Sequence, residues 1–416
     1  LYVLDDLALA ALSQRLEALK AALQMRVAAL QGKSLRFGKT VLATFINDVA
    51  GSYFCLNRPI KAPDLHREAL ALDEQNGIHN NSCYTFSLRQ LAYSLYHVGK
   101  LQEAEKLRRQ LVMLSDDPMS KARDIANLSS ILRRLGKLQE ALATSKEALA
   151  LFEQVGCVEE HFVGGVLNEL ALCLDLLGKP HEALSYFEKA RVVFEKCFPG
   201  WVVNVTLNIA NCLCSCGKFE EATTLLLQVL EENERRHGKA SFVVAATLIN
   251  LANCFENLGQ YKKVIEARER AQAIYARLPD EHSLSTIMML CVSANSLSAF
   301  GKAQKANHVL AEAKAKALAA HGPDHPVIAT ISRLIAIQHY SLGEYEQALK
   351  GHLDTLSFYE ERYGVSHYER AHCLRYIANC YSALGSIEKA LTMQQQAVGL
   401  YKNIFGSDHQ TVALCF

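Results

Sequence analysis

Glycine recurs at Gly99, Gly136, Gly178, Gly217, Gly259, Gly301, Gly343 and Gly385, in steps of 37, 42, 39, 42, 42, 42 and 42 residues. A period this long and regular means stacked copies of one small unit that cannot bury its apolar face alone. The text around each glycine repeats too. Seven residues before it stands a small side chain: Ala92, Ser129, Ala171, Ala210, Ala252, Ala294, Ala336 and Ala378. Five after it come Ala104, Ala141, Ala183, Ala222, Val264, Ala306, Ala348 and Ala390. Twelve after it alanine returns at Ala148, Ala190, Ala271, Ala313 and Ala397, with Leu111, Val229 and Thr355 in the other three units.

Small residues at fixed helical offsets let two antiparallel helices approach closely. The glycine offers the left-handed conformation that ends the first of them. Stretches such as "LNELALCLDLLGKPHEALSYFEKARVVFEK" read as an apolar 3.6-period helix, a Gly-Lys turn, and a second amphipathic helix. A degenerate copy lies upstream, with Ala50, Ala62 and Ala69 at the same offsets around Asn57. The pattern predicts an all-α chain of about nine helix pairs over residues 37–410, with no strands. Residues 411–416 read as the start of a further helix.

Composition narrows the function classes. Among 416 residues, 44 Lys and Arg offset 43 Asp and Glu to leave a net charge of +1. So balanced a chain has no global attraction for nucleic acid or an anionic membrane. No apolar run approaches the length of a membrane span. The chain opens at Leu1 without a secretory signature and reads as a segment of a larger protein. Its 13 cysteines are scattered through apolar helical patterns, at Cys173, Cys212, Cys254, Cys291 and Cys380 among others. That suits reduced, buried thiols and a cytoplasmic setting better than a disulfide framework.

The small–Gly–Ala–Ala skeleton resembles the tetratricopeptide (TPR) motif. The 42-residue period, the unit "LINLANCFENLGQYKKVIEARERAQAIY" and the linkers "HGPDHPVIAT" and "FGSDHQTVAL" are similar to the kinesin light chain subclass in particular. The linker pattern Gly-x-Asp-His-Pro is complete only at Gly322–Pro326 and partial at Gly406–His409. The resemblance implies a right-handed superhelical solenoid of TPR helix-turn-helix repeats. Residues 1–36 stand outside the repeats. Leu12, Leu16, Leu19, Leu23, Val27 and Leu30 form one stripe there, which predicts an N-terminal capping helix or a short coiled coil.

Three motifs invite chemistry and are set aside. In "GKSLRFGKT" five residues separate Gly32 from Gly38 where a phosphate loop needs four, and no strand precedes them, so a Lys-rich inter-helix turn is expected. Cys212, Cys214 and Cys216 lack a second pair at zinc spacing, and residues two apart on a helix diverge. His321 and His325 sit in a linker whose Asp324 and Pro326 read as the start of the next helix. No nucleophile, base and acid set stands out. The sequence therefore predicts neither an enzyme nor a cofactor or metal site.

In the architecture the resemblance implies, the first helix of each pair lines a concave wall, exposed at positions six and ten before the glycine. The six-before row reads Tyr93, Ser130, Leu172, Asn211, Asn253, Asn295, Ile337 and Asn379. The ten-before row reads Arg89, Ala126, Asn168, Leu207, Ile249, Cys291, Arg333 and Arg375. An asparagine carries a donor and an acceptor, so it can bond both groups of one peptide unit. Arg89, Arg123, Arg333 and Arg375, with Arg133 and Arg134 near them, would favour acidic side chains. Leu172, Leu207, Ile249 and Ile337 would form apolar pockets. In the kinesin light chain family equivalent asparagines and basic residues hold extended cargo peptides, and the match here is partial. The expected binding set is Arg89, Tyr93, Arg123, Asn168, Asn211, Asn253, Asn295, Arg333, Arg375 and Asn379. The expected function is a scaffold or adaptor holding an extended segment of a partner protein. The alternative is the sensor arm of a larger signalling protein, such as a signalling ATPase, that recognises a folded ligand.

Overall fold

The computed structural model describes residues 6–30, 32–55, 59–76, 82–156, 161–275, 277, 284–299, 301–363 and 367–405. They form nineteen α-helices, two short 3-10 turns and no strand among the described residues. The chain divides into two compact units, the first formed by Leu1–Asp116 with Lys316–Pro326 and the second by Asp117–Ala315 with Val327–Phe416.

In the first unit α1 (Asp6–Ala28) precedes the pairs α2 (Gly32–Cys55) with α3 (Ala62–Gln75) and α4 (Ser82–His97) with α5 (Leu101–Leu114). In the second, α6 (Pro118–Arg134) pairs with α7 (Leu138–Val155), α8 (His161–Leu176) with α9 (Pro180–Cys197), and α10 (Val202–Ser215) with α11 (Phe219–His237). The pairing continues with α12 (Phe242–Asn257) and α13 (Tyr261–Tyr275), α14 (Leu284–Ala299) and α15 (Ala303–His321), whose last turn belongs to the first unit. Helices α16 (Pro326–Ser341) with α17 (Tyr345–Tyr363) and α18 (Tyr368–Ala383) with α19 (Ile387–Phe405) complete the nine pairs.

The turn glycines act as the spacing predicts. All eight have φ between +70° and +85°. The residue after each donates its N–H back to the carbonyl four residues before the glycine, as Lys137 does to Leu132 and Gln260 to Phe255 at 2.9 and 2.8 Å. This six-to-one closure satisfies helix-end carbonyls that water would otherwise have to reach. The small positions are the helix-helix contact. Ala92, Ser129, Ala171, Ala210, Ala252 and Ala294 are fully buried, as are Ala104, Ala141, Ala183 and Ala222 across from them.

One expectation is corrected. Residues 32–40 are not a turn between helices but lie within α2, which runs unbroken from Gly32 to Cys55. The two glycines of "GKSLRFGKT" sit in a helix whose remaining residues carry it past them. Gly38 is buried, and a Cβ there would meet Leu30.

Helix α1 packs on α2. Val27 is buried with Leu42, Ile46 and Val49, Leu23 lies against them, and Lys20 pairs with Glu68 of α3 at 2.6 Å. Leu19 and Leu30 stay exposed. The side chains of Leu12 and Leu16, the turn around Asn57, the linker at Gly406–His409 and residues 411–416 lie outside the described residues.

Each unit also brings together segments distant in sequence. In the first, the linker ahead of α16 packs on the turn between α4 and α5. A Cβ on Gly99 would stand 2.6 Å from Pro326 Cδ and 3.1 Å from the Asp324 carbonyl oxygen. His321 and His325 are buried there with ring centroids 4.8 Å apart. In the second unit His367, just ahead of α18, lies against the end of α6. Its Nε2–H donates to the Arg134 carbonyl at 3.0 Å while Nδ1 accepts from the Glu369 N–H at 3.1 Å. One neutral imidazole thus caps the end of one helix and the start of another.

Candidate protein-binding wall

The first helices of the second unit expose the row six before each glycine. Asn211 on α10, Asn253 on α12, Asn295 on α14 and Asn379 on α18 are all exposed. Their side-chain amides make no hydrogen bond among the described residues. Their neighbours one residue on, Cys212 and Cys254, and one residue back, Ala210, Ala252 and Ala294, are buried. The same helix turn that buries the small face therefore holds the amide outward. Leu172 and Ile337 in this row are half-buried.

The ten-before row lies deeper. Asn168, Leu207, Ile249, Arg333 and Arg375 are half-buried, and Cys291 is buried. The Asn168 Oδ1 accepts from Asn208 Nδ2 of the next first helix at 3.0 Å, so this amide is partly spent inside the wall. Ile249 lines a cavity of about 110 Å³ with Ile265, Val292 and Leu297, rimmed by Arg268 and Glu269.

The arginines are less available than their spacing suggests. Arg133 forks onto Glu169 at 2.7 and 3.3 Å. Arg333 Nε lies 3.8 Å from Glu369 Oε2, and burial pushes that carboxyl up while Arg333 pulls it down. Arg123 stacks over Phe162 and Arg375 over Tyr376, at 5.0 and 4.9 Å from the ring centroids. A stacked guanidinium keeps its in-plane N–H groups for other acceptors, so Arg123 and Arg375 are held in place without being used up. Arg89 and Tyr93 belong to the first unit. Arg89 Nη2 donates to Ser115 Oγ at 3.4 Å, and Tyr93, 47% exposed, packs its ring on His97.

The internal pairs carry a signal in their spacing that the residue-by-residue reading missed. Arg67–Glu103, Arg133–Glu169, Glu234–Arg270 and Arg333–Glu369 are each 36 residues apart. Asn47–Ser87, Asn168–Asn208 and Cys214–Cys254 are each 40 apart. In a stack of roughly 42-residue units, complementary residues slightly less than one period apart face each other across neighbouring helices.

Cys214 on α10 turns away from Cys212 and Cys216; these last two stand one helix turn apart, with Cys216 at the helix end, and their thiols interact with each other. Cys212 Sγ lies 3.2 Å from the Pro180 carbonyl, Cys216 Sγ 3.8 Å from His181 Nδ1, and Cys214 Sγ 3.2 Å from Cys254 Sγ on α12. Among the described residues no cluster of three metal-ligating side chains occurs, and no helix is long and apolar enough to cross a membrane.

A tetratricopeptide repeat family model matches residues 122–196, 202–277 and 327–403, more than half of the chain, and a second matches 43–151. The chain is 27% identical over 159 residues to Protein KINESIN LIGHT CHAIN-RELATED 3 of Arabidopsis thaliana, a match covering 37% of this chain and 24% of that relative. It thus spans about a quarter of the relative's length. Among solved structures, a Rap protein complexed with Competence and Sporulation Factor aligns with a TM-score of 0.53 at 16% identity, over 87% of this chain and 98% of that one. BtubC (BKLC) from P. vanneervenii aligns with a TM-score of 0.45 at 22% identity, over 55% of this chain and 94% of that one.

Proposed function

The chain belongs to the tetratricopeptide repeat family, with repeats like those of kinesin light chains, and from that premise we propose that its second unit holds an extended segment of a partner protein along the first-helix wall. The observation that carries this reading is the row Asn211, Asn253 and Asn295. Three successive repeats expose an amide with no internal hydrogen bond where the helix pair itself needs no polar group. Each amide can accept from one backbone N–H of an extended ligand and donate to one carbonyl. Asn379 continues the row in the last pair. The half-buried Leu172, Leu207, Ile249 and Ile337 supply apolar floor between the amides for alternate ligand side chains. Arg123 and Arg375 add donors for ligand carboxylates; Arg333, already beside Glu369, contributes less. In the first unit Tyr93 is exposed, while Arg89 is half-buried and bonded to Ser115, so neither is assigned to this wall. In this reading the chain works in the cytoplasm as a scaffold or adaptor and catalyses nothing.

The test begins with peptides selected from a displayed random library on the whole chain. The affinity of a selected peptide is then measured for Asn211→Ala/Asn253→Ala/Asn295→Ala. Each substitution leaves a ligand peptide group unpaired and should cost about 1–3 kcal/mol. A control altered at Glu188 and Glu231, exposed on the second helices, should bind as the parent does. Loss of binding in the control with retention in the triple variant would move the ligand to the opposite face. Raising salt should weaken the arginine contribution and leave the asparagine contribution largely intact.

A further inference from the structure

We infer that Cys214 and Cys254 are a redox pair, joined as a disulfide between adjacent repeats by a small peroxide and released by thiols. The two sulfurs sit 3.2 Å apart on the neighbouring first helices α10 and α12, with 40 residues between them. Closing that gap to the roughly 2.05 Å of a disulfide asks for a shift of about 1 Å, within the reach of side-chain rotation. Cys212 and Cys216 do not compete, because Cys212 faces the Pro180 carbonyl and Cys216, just past the end of α10, faces His181. Cys214 is half-buried and Cys254 is 1% exposed. Peroxide, little larger than water, therefore enters at Cys214.

Either sulfur can donate to the other, and this contact together with burial pushes the Cys214 thiol up. The attacking group is thus mostly protonated at neutral pH, and the reaction should quicken as pH rises. In the first step Cys214, having lost its proton, attacks one peroxide oxygen. The O–O bond breaks, and the departing hydroxide takes up that proton as water, leaving a sulfenic acid. Cys254 sulfur then attacks the Cys214 sulfur. The S–S bond forms, and the expelled hydroxide leaves as a second water with the Cys254 proton. The two sulfurs lose two electrons, and the peroxide gains them.

The position gives the bond a consequence that rests on the binding reading above. Asn211 lies three residues before Cys214 on α10, and Asn253 immediately precedes Cys254 on α12. A covalent link there fixes the spacing of two adjacent amides on the proposed ligand wall, so oxidation should change the affinity of a selected peptide.

The whole chain is treated with hydrogen peroxide, remaining thiols are alkylated, and proteolytic fragments are weighed. The expected result is a linked pair of peptides carrying Cys214 and Cys254, lighter by two hydrogens and separated by dithiothreitol. The link should survive in Cys212→Ser/Cys216→Ser and vanish in Cys214→Ser and in Cys254→Ala, with helical circular dichroism unchanged. Peptide affinity is measured on the same oxidised sample, so a failure of the ligand wall leaves the cross-link result standing. Persistence of the link in Cys214→Ser, or its absence while the exposed Cys197 is oxidised in the same sample, would overturn the assignment.

Discussion

His367 shows how much one side chain can carry in a repeat array. It is buried, and that burial lowers its pKa from 6.5 to about 4, so the ring stays neutral with the proton on Nε2. Only that tautomer can donate to Arg134 and accept from Glu369 together. Replacing it with alanine leaves two helix-end groups unpaired and should cost about 1–3 kcal/mol per group, read from urea denaturation. Its neighbour sharpens the point. Gly136 has φ +76°, and a Cβ there would stand 3.1 Å from the imidazole, whereas Gly259, at φ +70°, opens onto free space. Gly259→Ala should cost the left-handed penalty alone, about 1–2 kcal/mol. Gly136→Ala should cost more, since ring or backbone must also shift. The reverse order would mean that His367 does not dock on this turn.

At the scale of the element, every helix pair rests on small residues meeting across it. Ala252 on α12 is fully buried, and Val264, Ala267 and Ala271 are buried on α13. Replacing Ala252 with phenylalanine overfills this contact and should cost about 1–3 kcal/mol. Because each pair touches mainly its neighbours, the damage should stay local. Hydrogen exchange should quicken in α11 to α13 and remain slow in α18 and α19. Exchange that rises equally along the whole second unit would show a single cooperative block instead. The contact between α10 and α12 through Cys214 and Cys254 belongs to this same scale, since it tunes one repeat junction.

Across the whole molecule the buried histidines set the response to acid. His66, His352, His367 and His372 all have their pKa lowered from 6.5 to about 4 by burial, with nearby arginine charge adding to the effect at His352 and His372. Below pH 6.5 the unfolded chain binds protons at these rings and the folded chain does not. Stability is therefore full above about pH 6.5, falls as the pH drops towards 4, and levels off below. Each ring contributes a slope of about 1.4 kcal/mol per pH unit within that window. The buried carboxyls of Asp73 and Glu369, pushed up by burial, offset part of the loss at its acid end. His66 lies in the first unit and the other three in the second, so both units should weaken as the pH falls. Urea midpoints followed by hydrogen exchange at pH 7, 6 and 5 would show this; a flat profile would mean the rings are reached by water.

What the sequence determines here is whatever depends on neighbours along the chain or in the next repeat. Glycine at a helix end selects a left-handed turn by sterics, and alanine at set offsets selects close helix contact by size. Both act over a few residues, and the glycine turn recurs eight times. The outward Asn211, Asn253 and Asn295 follow from the same helical phase. The run Gly32–Thr40 has the glycines of a turn yet is helical, because glycine pairs mark turns only when flanking residues do not sustain a helix. The tertiary structure alone decided which polar groups are spent inside. Arg133 and Arg333 look like Arg375 in the sequence, yet each faces a glutamate 36 residues on. Tertiary structure also decided where the linkers dock. The contact between His367 and Arg134 joins residues 233 apart. It depends on the small rotation between successive helix pairs, summed over many repeats, and no short stretch of residues encodes that sum.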